Sequence, residues 1–338
     1  MIYRKSILLL GCMVLLAGTA FGQAQDIERK KIARTTMKFL NVSADPRAAA
    51  LGDAMTAVDG GSSALFYNPA GMSGQTSFVN LTVSQVDWFV DTKYNFASLA
   101  LRPADGRWGV FGFSLIAVDY GEFEETIRAD NEAGFIDLGT FSPSSLSFGV
   151  GYARTLTDRF SIGAHVKYAN QDLGNSVMSA GDELDRAANE ESVIAYDFGM
   201  LYRTGFRSLT FAAAARNFAP EVEYEEESYE LPLLLKIGMS MDVMDFTNMS
   251  RDMHSFVVSI DTESPRDYQE QIKIGGEYTF METISFRAGY IFPTDQQGIN
   301  AGVGIHRTIA GMRIGGDYAY TDFGVFEAVH RIGLQVSL

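Results

Sequence analysis

The C-terminal stretch Arg331-Ile332-Gly333-Leu334-Gln335-Val336-Ser337-Leu338 decides how the rest of the chain is read. In an extended backbone Ile332, Leu334, Val336 and Leu338 point one way, and Arg331, Gly333, Gln335 and Ser337 the other. The alternation runs to Leu338 with no polar tail, whereas chain ends usually fray. Such a strand needs a fixed partner. A closed barrel supplies one, because its last strand pairs with its first. On these residues alone, the terminal strand of a soluble sandwich is the alternative.

The same period of two recurs upstream. Tyr94/Phe96, Leu146/Phe148/Val150/Tyr152, Ile194/Tyr196/Phe198/Met200/Tyr202, Ile284/Phe286/Ala288/Tyr290 and Ile299/Ala301/Val303/Ile305 each alternate with small or polar residues. From Phe78 onward this predicts about fourteen strands, each long enough for the roughly 9–11 residues that cross an outer membrane at a tilt. No segment after the N-terminus approaches the roughly 20 apolar residues of a membrane helix. Membrane residence would therefore be as a β-barrel.

Connection lengths separate barrel from sandwich. Pro103 to Gly106, Thr155 to Asp158, Thr204 to Phe206, Met281-Glu282 and Thr308-Ile309 read as short turns, with Val243 to Asp252 longer. The alternate connections include Glu122 to Pro143, Asp172 to Glu191 and Ala219 to Glu230. Long loops on one side and short turns on the other mark an outer-membrane barrel. An even strand number places both barrel ends on the periplasmic side. The fold class read here is all-β: an antiparallel transmembrane barrel of about fourteen strands over 77–338.

Charge fixes which face is inside. This register puts His165, Lys167, Asp197, Arg203, Arg216, Lys236, Lys273, Glu277, Arg287, Arg313, Asp317 and Arg331 on one face. Arg or Lys facing lipid at the midplane costs about 2–4 kcal/mol each. A handful would exceed the roughly 5–15 kcal/mol net stability of a domain. The set is therefore expected to face the lumen. Trp88, Tyr94, Trp108, Tyr120, Tyr152, Tyr168, Tyr202, Phe292 and Tyr320, near strand ends, are expected in interfacial girdles.

The chain opens with Arg4-Lys5, an apolar run Ile7 to Leu16 and small residues to Gly22, which reads as a secretory signal peptide over 1–22. Cys12, the one cysteine, lies within it, so no disulfide framework or thiolate metal site is expected. Losing Arg4 and Lys5 leaves 25 Lys+Arg against 42 Asp+Glu, a net charge of -17. That balance argues against nucleic-acid binding. Residues 23–76 read as a periplasmic arm, to about residue 40, followed by a Gly/Ala-rich plug. Ala48 to Ala54 could form a short helix, and Asn68-Pro69 a capped turn. About fourteen strands enclose more space than side chains of the wall alone can fill, and the plug, residues 41–75, is expected inside or across the periplasmic mouth.

No catalytic constellation stands out. The four histidines, His165, His254, His306 and His330, show no metal-ligand spacing, and no cofactor motif is present. The run Glu221 to Glu227 reads either as a divalent-cation site or as a solvated external loop.

Three blocks in the N-terminal segment carry a family resemblance. They are Thr35-Thr36-Met37-Lys38-Phe39-Leu40-Asn41-Val42; Asp45-Pro46-Arg47 through Gly52-Asp53 to Ala57; and Ser63 to Asn68-Pro69-Ala70-Gly71-Met72. They resemble the opening of the PorV/PorQ family and, more distantly, the FadL group of fatty-acid channels. The last strand also resembles the β-signal read by the barrel assembly machinery, with Arg331, Gly333, Val336 and Leu338 at its key positions. The resemblance implies a non-enzymatic protein of the outer membrane of a Gram-negative-type bacterium, in contact with outer-membrane lipid and lipopolysaccharide. It implies an accessory or cargo-binding part in type IX secretion, with secretion-system proteins or cargo signal domains as partners. The alternative it implies is a FadL-like channel for hydrophobic small molecules.

Overall fold

The computed structural model describes residues 35–180, 183–224 and 227–338, with the backbone alone at 176–187. The expected leader 1–22, residues 23–34 of the arm, and Glu225 and Glu226 of the acidic run lie outside the described residues. The first strands are β1 (Val79–Asp87), β2 (Lys93–Leu101), β3 (Val110–Asp119), β4 (Phe123–Arg128) and β5 (Phe135–Phe141). Then come β6 (Ser144–Thr157), β7 (Phe160–Ala180), β8 (Glu183–Arg203), β9 (Thr210–Phe218), β10 (Val222–Tyr224) and β11 (Glu227–Tyr229). The series ends with β12 (Leu234–Asp242), β13 (His254–Pro265), β14 (Gln271–Phe280), β15 (Ile284–Phe292), β16 (Ile299–Ile309), β17 (Met312–Thr321) and β18 (Val329–Ser337).

Fourteen of these close into an antiparallel barrel, while β4–β5 and β10–β11 are separate two-stranded hairpins in the long connections. Closure is made by β18 on β1, with Val83 opposite Leu334. Val79 N–H donates to the Leu338 carbonyl at 3.1 Å, and Leu338 N–H to that of Val79 at 2.9 Å. A closed ladder pairs the amides of the spanning wall with one another rather than with water, which is the condition for crossing a bilayer. The outer face supplies the rest. On β6 the alternate residues Leu146, Phe148, Val150 and Tyr152 are exposed while their neighbours are buried. Ile194, Phe198 and Met200 do the same on β8. An apolar surface this extensive is stable in lipid and aggregates in water.

Several turns differ from the reading above. Thr308 and Ile309 remain in β16, and the turn is Ala310-Gly311, both with positive φ (52° and 83°). β6 likewise runs through Thr157, leaving Asp158-Arg159 to turn. Trp88, Tyr94 and Tyr120 do not join a lipid-facing girdle. Tyr94 and Phe96 are buried and stacked at 6.1 Å inside the barrel, and Trp88 packs on Tyr94 and Phe323 at 5.9 and 5.6 Å. Tyr120 shares a hydrogen bond with Ser145 at 3.1 Å, and Phe292 is half-buried. Trp108, Tyr152, Tyr168, Tyr202 and Tyr320 are exposed on the outside. The reason is that β2 and β3 carry large apolar residues on their inner face near the long-connection end, where protein rather than water meets them.

What meets them is the N-terminal segment. It contains short 3-10 helices at Lys38–Asn41, Gly61–Phe66 and Pro69–Gly74, and one short α-helix, Pro46–Ala50. Asp45 caps that helix by accepting from Arg47 N–H at 2.8 Å, and Asn68 Oδ1 accepts from Ala70 N–H at 3.1 Å, each with proline following the cap. The segment runs the length of the barrel. Thr36 N–H donates to Glu230 O at 3.1 Å, and Lys38 pairs with Asp267, both at the long-connection end. Arg102 Nη1 donates to Thr76 O at 3.3 Å at the other end. Residues 35–40 are thus not a periplasmic arm, because they are seated in the opposite mouth.

The asymmetry of connections orients the barrel with its short turns in the periplasm. An impermeant thiol reagent is expected to label Asp130→Cys in intact cells, and Ala310→Cys only after the outer membrane is permeabilised. Labelling of Ala310→Cys in intact cells would invert the orientation.

Candidate functional site

The barrel interior is an interface between wall and segment, shaped first by wall glycines. A Cβ on Gly199 of β8 would stand 1.8 Å from Asn68 Oδ1, and one on Gly163 of β7 would stand 2.4 Å from Ala70 N. On β15 a Cβ at Gly289 would be 2.2 Å from Gly52 N and Leu51 C. These positions lack side chains so that the segment's backbone can lie against the strands. Gly52 itself has φ +63° and rests on the backbone of Tyr290. Asp53 accepts from Ser43 Oγ at 2.5 Å, and Gly71 packs against Ala64.

Charge then fixes the register between segment and wall. Arg47 donates from Nε and Nη2 to the two carboxylate oxygens of Glu277, at 2.8 and 2.7 Å. Glu277 also accepts from Arg287 Nε at 2.5 Å, and Arg287 Nη1 reaches Asp317 at 2.5 Å. Thr56 donates its N–H and hydroxyl to Asp261 Oδ2, at 2.9 and 2.6 Å. Asn68 Nδ2 bridges Thr56 O at 2.7 Å and Met200 O at 3.2 Å. Arg216 and Arg331 donate to the carbonyls of Leu40 (3.1 Å) and Ser43 (3.3 Å). Bidentate arginine–carboxylate pairing adds geometry as well as energy. The Tyr67 phenol oxygen accepts from Asp45 N–H at 2.9 Å and lies 3.1 Å from Ser43 Oγ.

The wall charges are spent on each other and on the segment. His165, Lys167, Asp197, Arg216, Lys236, Lys273, Glu277, Arg287 and Arg331 are buried, and Asp317 is nearly so. Lys236 and Lys273 share Glu263, at 2.6 and 2.8 Å. Arg203 sits half-exposed at the short-turn end, against Asp59 at 3.0 Å. Arg313 is the exception to the inward set. Its side chain is 45% exposed beside Glu282, because the second residue of β17 lies at the rim, where the turn meets water. Arg331 and Gly333 serve the interior as well as closure: Arg331 lies 5.7 Å over the Trp88 ring, and Gly333 gives room to Pro46. Val336 is half-buried between Leu81 and Ile314, and Leu338 is exposed.

One arrangement has no counterpart in the sequence reading. Ser114 Oγ lies 2.9 Å from His165 Nε2, and His165 Nδ1 lies 3.0 Å from Asp197 Oδ2. This is the order of a serine hydrolase relay. The carboxylate, however, also takes the Lys167 ammonium at 2.8 and 2.9 Å and the Asn217 N–H at 2.7 Å. A carboxylate so engaged anchors a buried cation. The three strands β3, β7 and β8 meet only through the ladder, so no sequence spacing reveals the trio.

The sequence model of the family described as type IX secretion system membrane protein PorP/SprF matches residues 136–329. The match lies in the barrel, away from the three N-terminal blocks that resemble PorV/PorQ. No curated protein matches the sequence. Among solved structures, the toluene transporter TbuX of Ralstonia pickettii superposes with a TM-score of 0.57 at 14% identity, over 87% of this chain and 98% of that one. The toluene transporter TodX of Pseudomonas putida gives 0.55 at 13%, over 86% and 96%. A FadL homologue of Pseudomonas aeruginosa gives 0.50 at 11%, over 87% and 97%. At such identities the likeness is one of fold, and with the family match it places the barrel in the outer membrane.

Proposed function

We propose that this chain, which belongs to the type IX secretion system membrane protein PorP/SprF family, serves protein secretion as a closed, non-enzymatic scaffold. On this reading secretion-system proteins or cargo signal domains dock on its surfaces. The observation that carries the scaffold reading is the Arg47–Glu277–Arg287–Asp317 chain, which ties the inner segment to the wall from within. A lumen filled this way leaves the faces of the barrel as its working surfaces. Deleting the gene from the source bacterium is expected to abolish export of proteins bearing a type IX signal. Normal export by the deletion strain would overturn the proposal. Labelling of Ser114 by a fluorophosphonate probe would overturn its non-enzymatic part.

A second reading, a channel for hydrophobic small molecules, draws on the apolar inner face formed by Tyr94, Phe96, Ile116, Val118 and Val193 near the outer mouth. Those side chains are packed against Phe66 and other residues of the inner segment, which favours the scaffold. Loss of toluene uptake in the deletion strain, with export intact, would reverse that ranking.

A further inference from the structure

Above Tyr196 the wall opens along one edge of β8. From Glu191 to Tyr196, β8 stays paired with β7. On its other side the ladder with β9 ends at Tyr196 opposite Phe218, after an irregularity across Asp197. Asn217, with φ 60°, turns the chain there and is held by Pro232 O at 3.0 Å and Asn41 Oδ1 at 2.6 Å. The chain then leaves the wall and forms β10, which pairs with β11. Residues 191–195 of β8 are thus left without a ladder partner on that side among the described residues.

Between this edge and β10 lies a cleft of about 680 Å³, with Ile194, Tyr196 and Pro220 among its apolar lining and Glu191, Glu221 and Glu223 as its charged part. Among the described residues, no basic one lines it. An unpaired strand edge offers a row of amides and carbonyls to any extended chain. The same mouth already accepts one by backbone pairing, since Thr35 bridges Glu230 in parallel. We propose that this cleft binds an extended peptide segment by strand addition to β8, selecting lysine or arginine alternating with apolar residues. Backbone pairing supplies affinity and the alternate side chains supply selection. Apolar positions of the guest fall on Ile194 and Tyr196, and its cations on the three glutamates. At about 3.3 Å per residue, the five open residues 191–195 span roughly 17 Å, the length of a five- or six-residue guest.

The cleft stands independently of the export reading, and its test uses purified full-length protein in detergent. The probe is a fluorescent six-residue peptide alternating lysine and valine, read by anisotropy, with hydrogen exchange followed by mass spectrometry. Saturable binding is expected, with slowed exchange of those amides of 191–195 that face the open edge. The triple variant Glu191→Gln, Glu221→Gln, Glu223→Gln is expected to bind roughly tenfold more weakly. A glutamate-for-lysine peptide is expected not to bind. Unchanged heat-modified gel mobility shows that the variant barrel is intact. Binding without protection within 191–195, no binding at all, or a lipid acyl chain found in the cleft and not displaced by the peptide would each overturn the proposal. Normal binding beside normal export in the deletion strain would retain the cleft and remove only the secretion role.

Discussion

Asp197→Ala is expected to destabilise the barrel by about 3–5 kcal/mol. Asp197 is fully buried, and its oxygens take the Lys167 ammonium twice, the His165 ring and the Asn217 N–H. Removing it strands the Lys167 charge among buried neighbours, with only Asn217 Oδ1 at 2.6 Å left to hold it. Breaking a buried pair at one partner is costly because the other keeps its desolvation penalty. It also leaves the Asn217 N–H without its acceptor at the turn where β9 leaves β8. The measurement is denaturant unfolding in detergent micelles, followed by the gel shift of heat-modified barrels. Ser114→Ala, which deletes one neutral hydrogen bond of the same trio, is expected to cost about 1 kcal/mol. A loss below about 1 kcal/mol for Asp197→Ala would mean that water reaches Lys167 and that the cluster is not a dry anchor.

Gly289→Leu is expected to drive the inner segment out of its seat and turn a closed barrel into a conducting one. A Cβ at this position would lie 2.2 Å from Gly52 N and Leu51 C, both backbone atoms that no rotamer change can move. Overpacking a fitted interior costs about 1–3 kcal/mol even where side chains can adjust. Gly199→Val repeats the test on the opposite wall, where the added carbon would meet Asn68 Oδ1 at 1.8 Å. Two readouts are expected together: single-channel conductance in planar bilayers, and protease cleavage within residues 36–76 of otherwise folded barrels. Gly316→Val is the control, since its nearest neighbour would be Leu334 Cδ2 at 3.8 Å; it is expected to stay closed and protease-resistant. Wild-type conductance equal to that of Gly289→Leu would show that the segment does not seal the lumen.

Much of the architecture was legible in residue order alone. The alternation in β6 and β8 and the parity of short and long connections specify fourteen strands and their register, because a one-residue slip would turn every lipid-facing side chain inward. The penalty for charge in lipid assigns Lys167, Asp197, Lys236 and Glu277 to the interior for the same reason. The two proline-led caps at Asp45 and Asn68 are local events, so five or six residues suffice to read them.

Other features depended on the closed barrel. Tyr94, Phe96, Ile116 and Val118 face inward, against the rule that apolar means lipid. A lumen packed with protein is as dry as the bilayer, so alternation cannot tell inside from outside where both are apolar. The partners of Arg47 and Ser114 are 230 and 51 residues away in sequence, joined only when the sheet curls. The direction of the inner segment was equally hidden: its small residues show that it lies close to a wall, but only the glycines it meets say which wall and which way up. Composition and period determined the cylinder, since those are local and solvent-driven; the fit of the chain inside it was decided by contacts that exist only after closure.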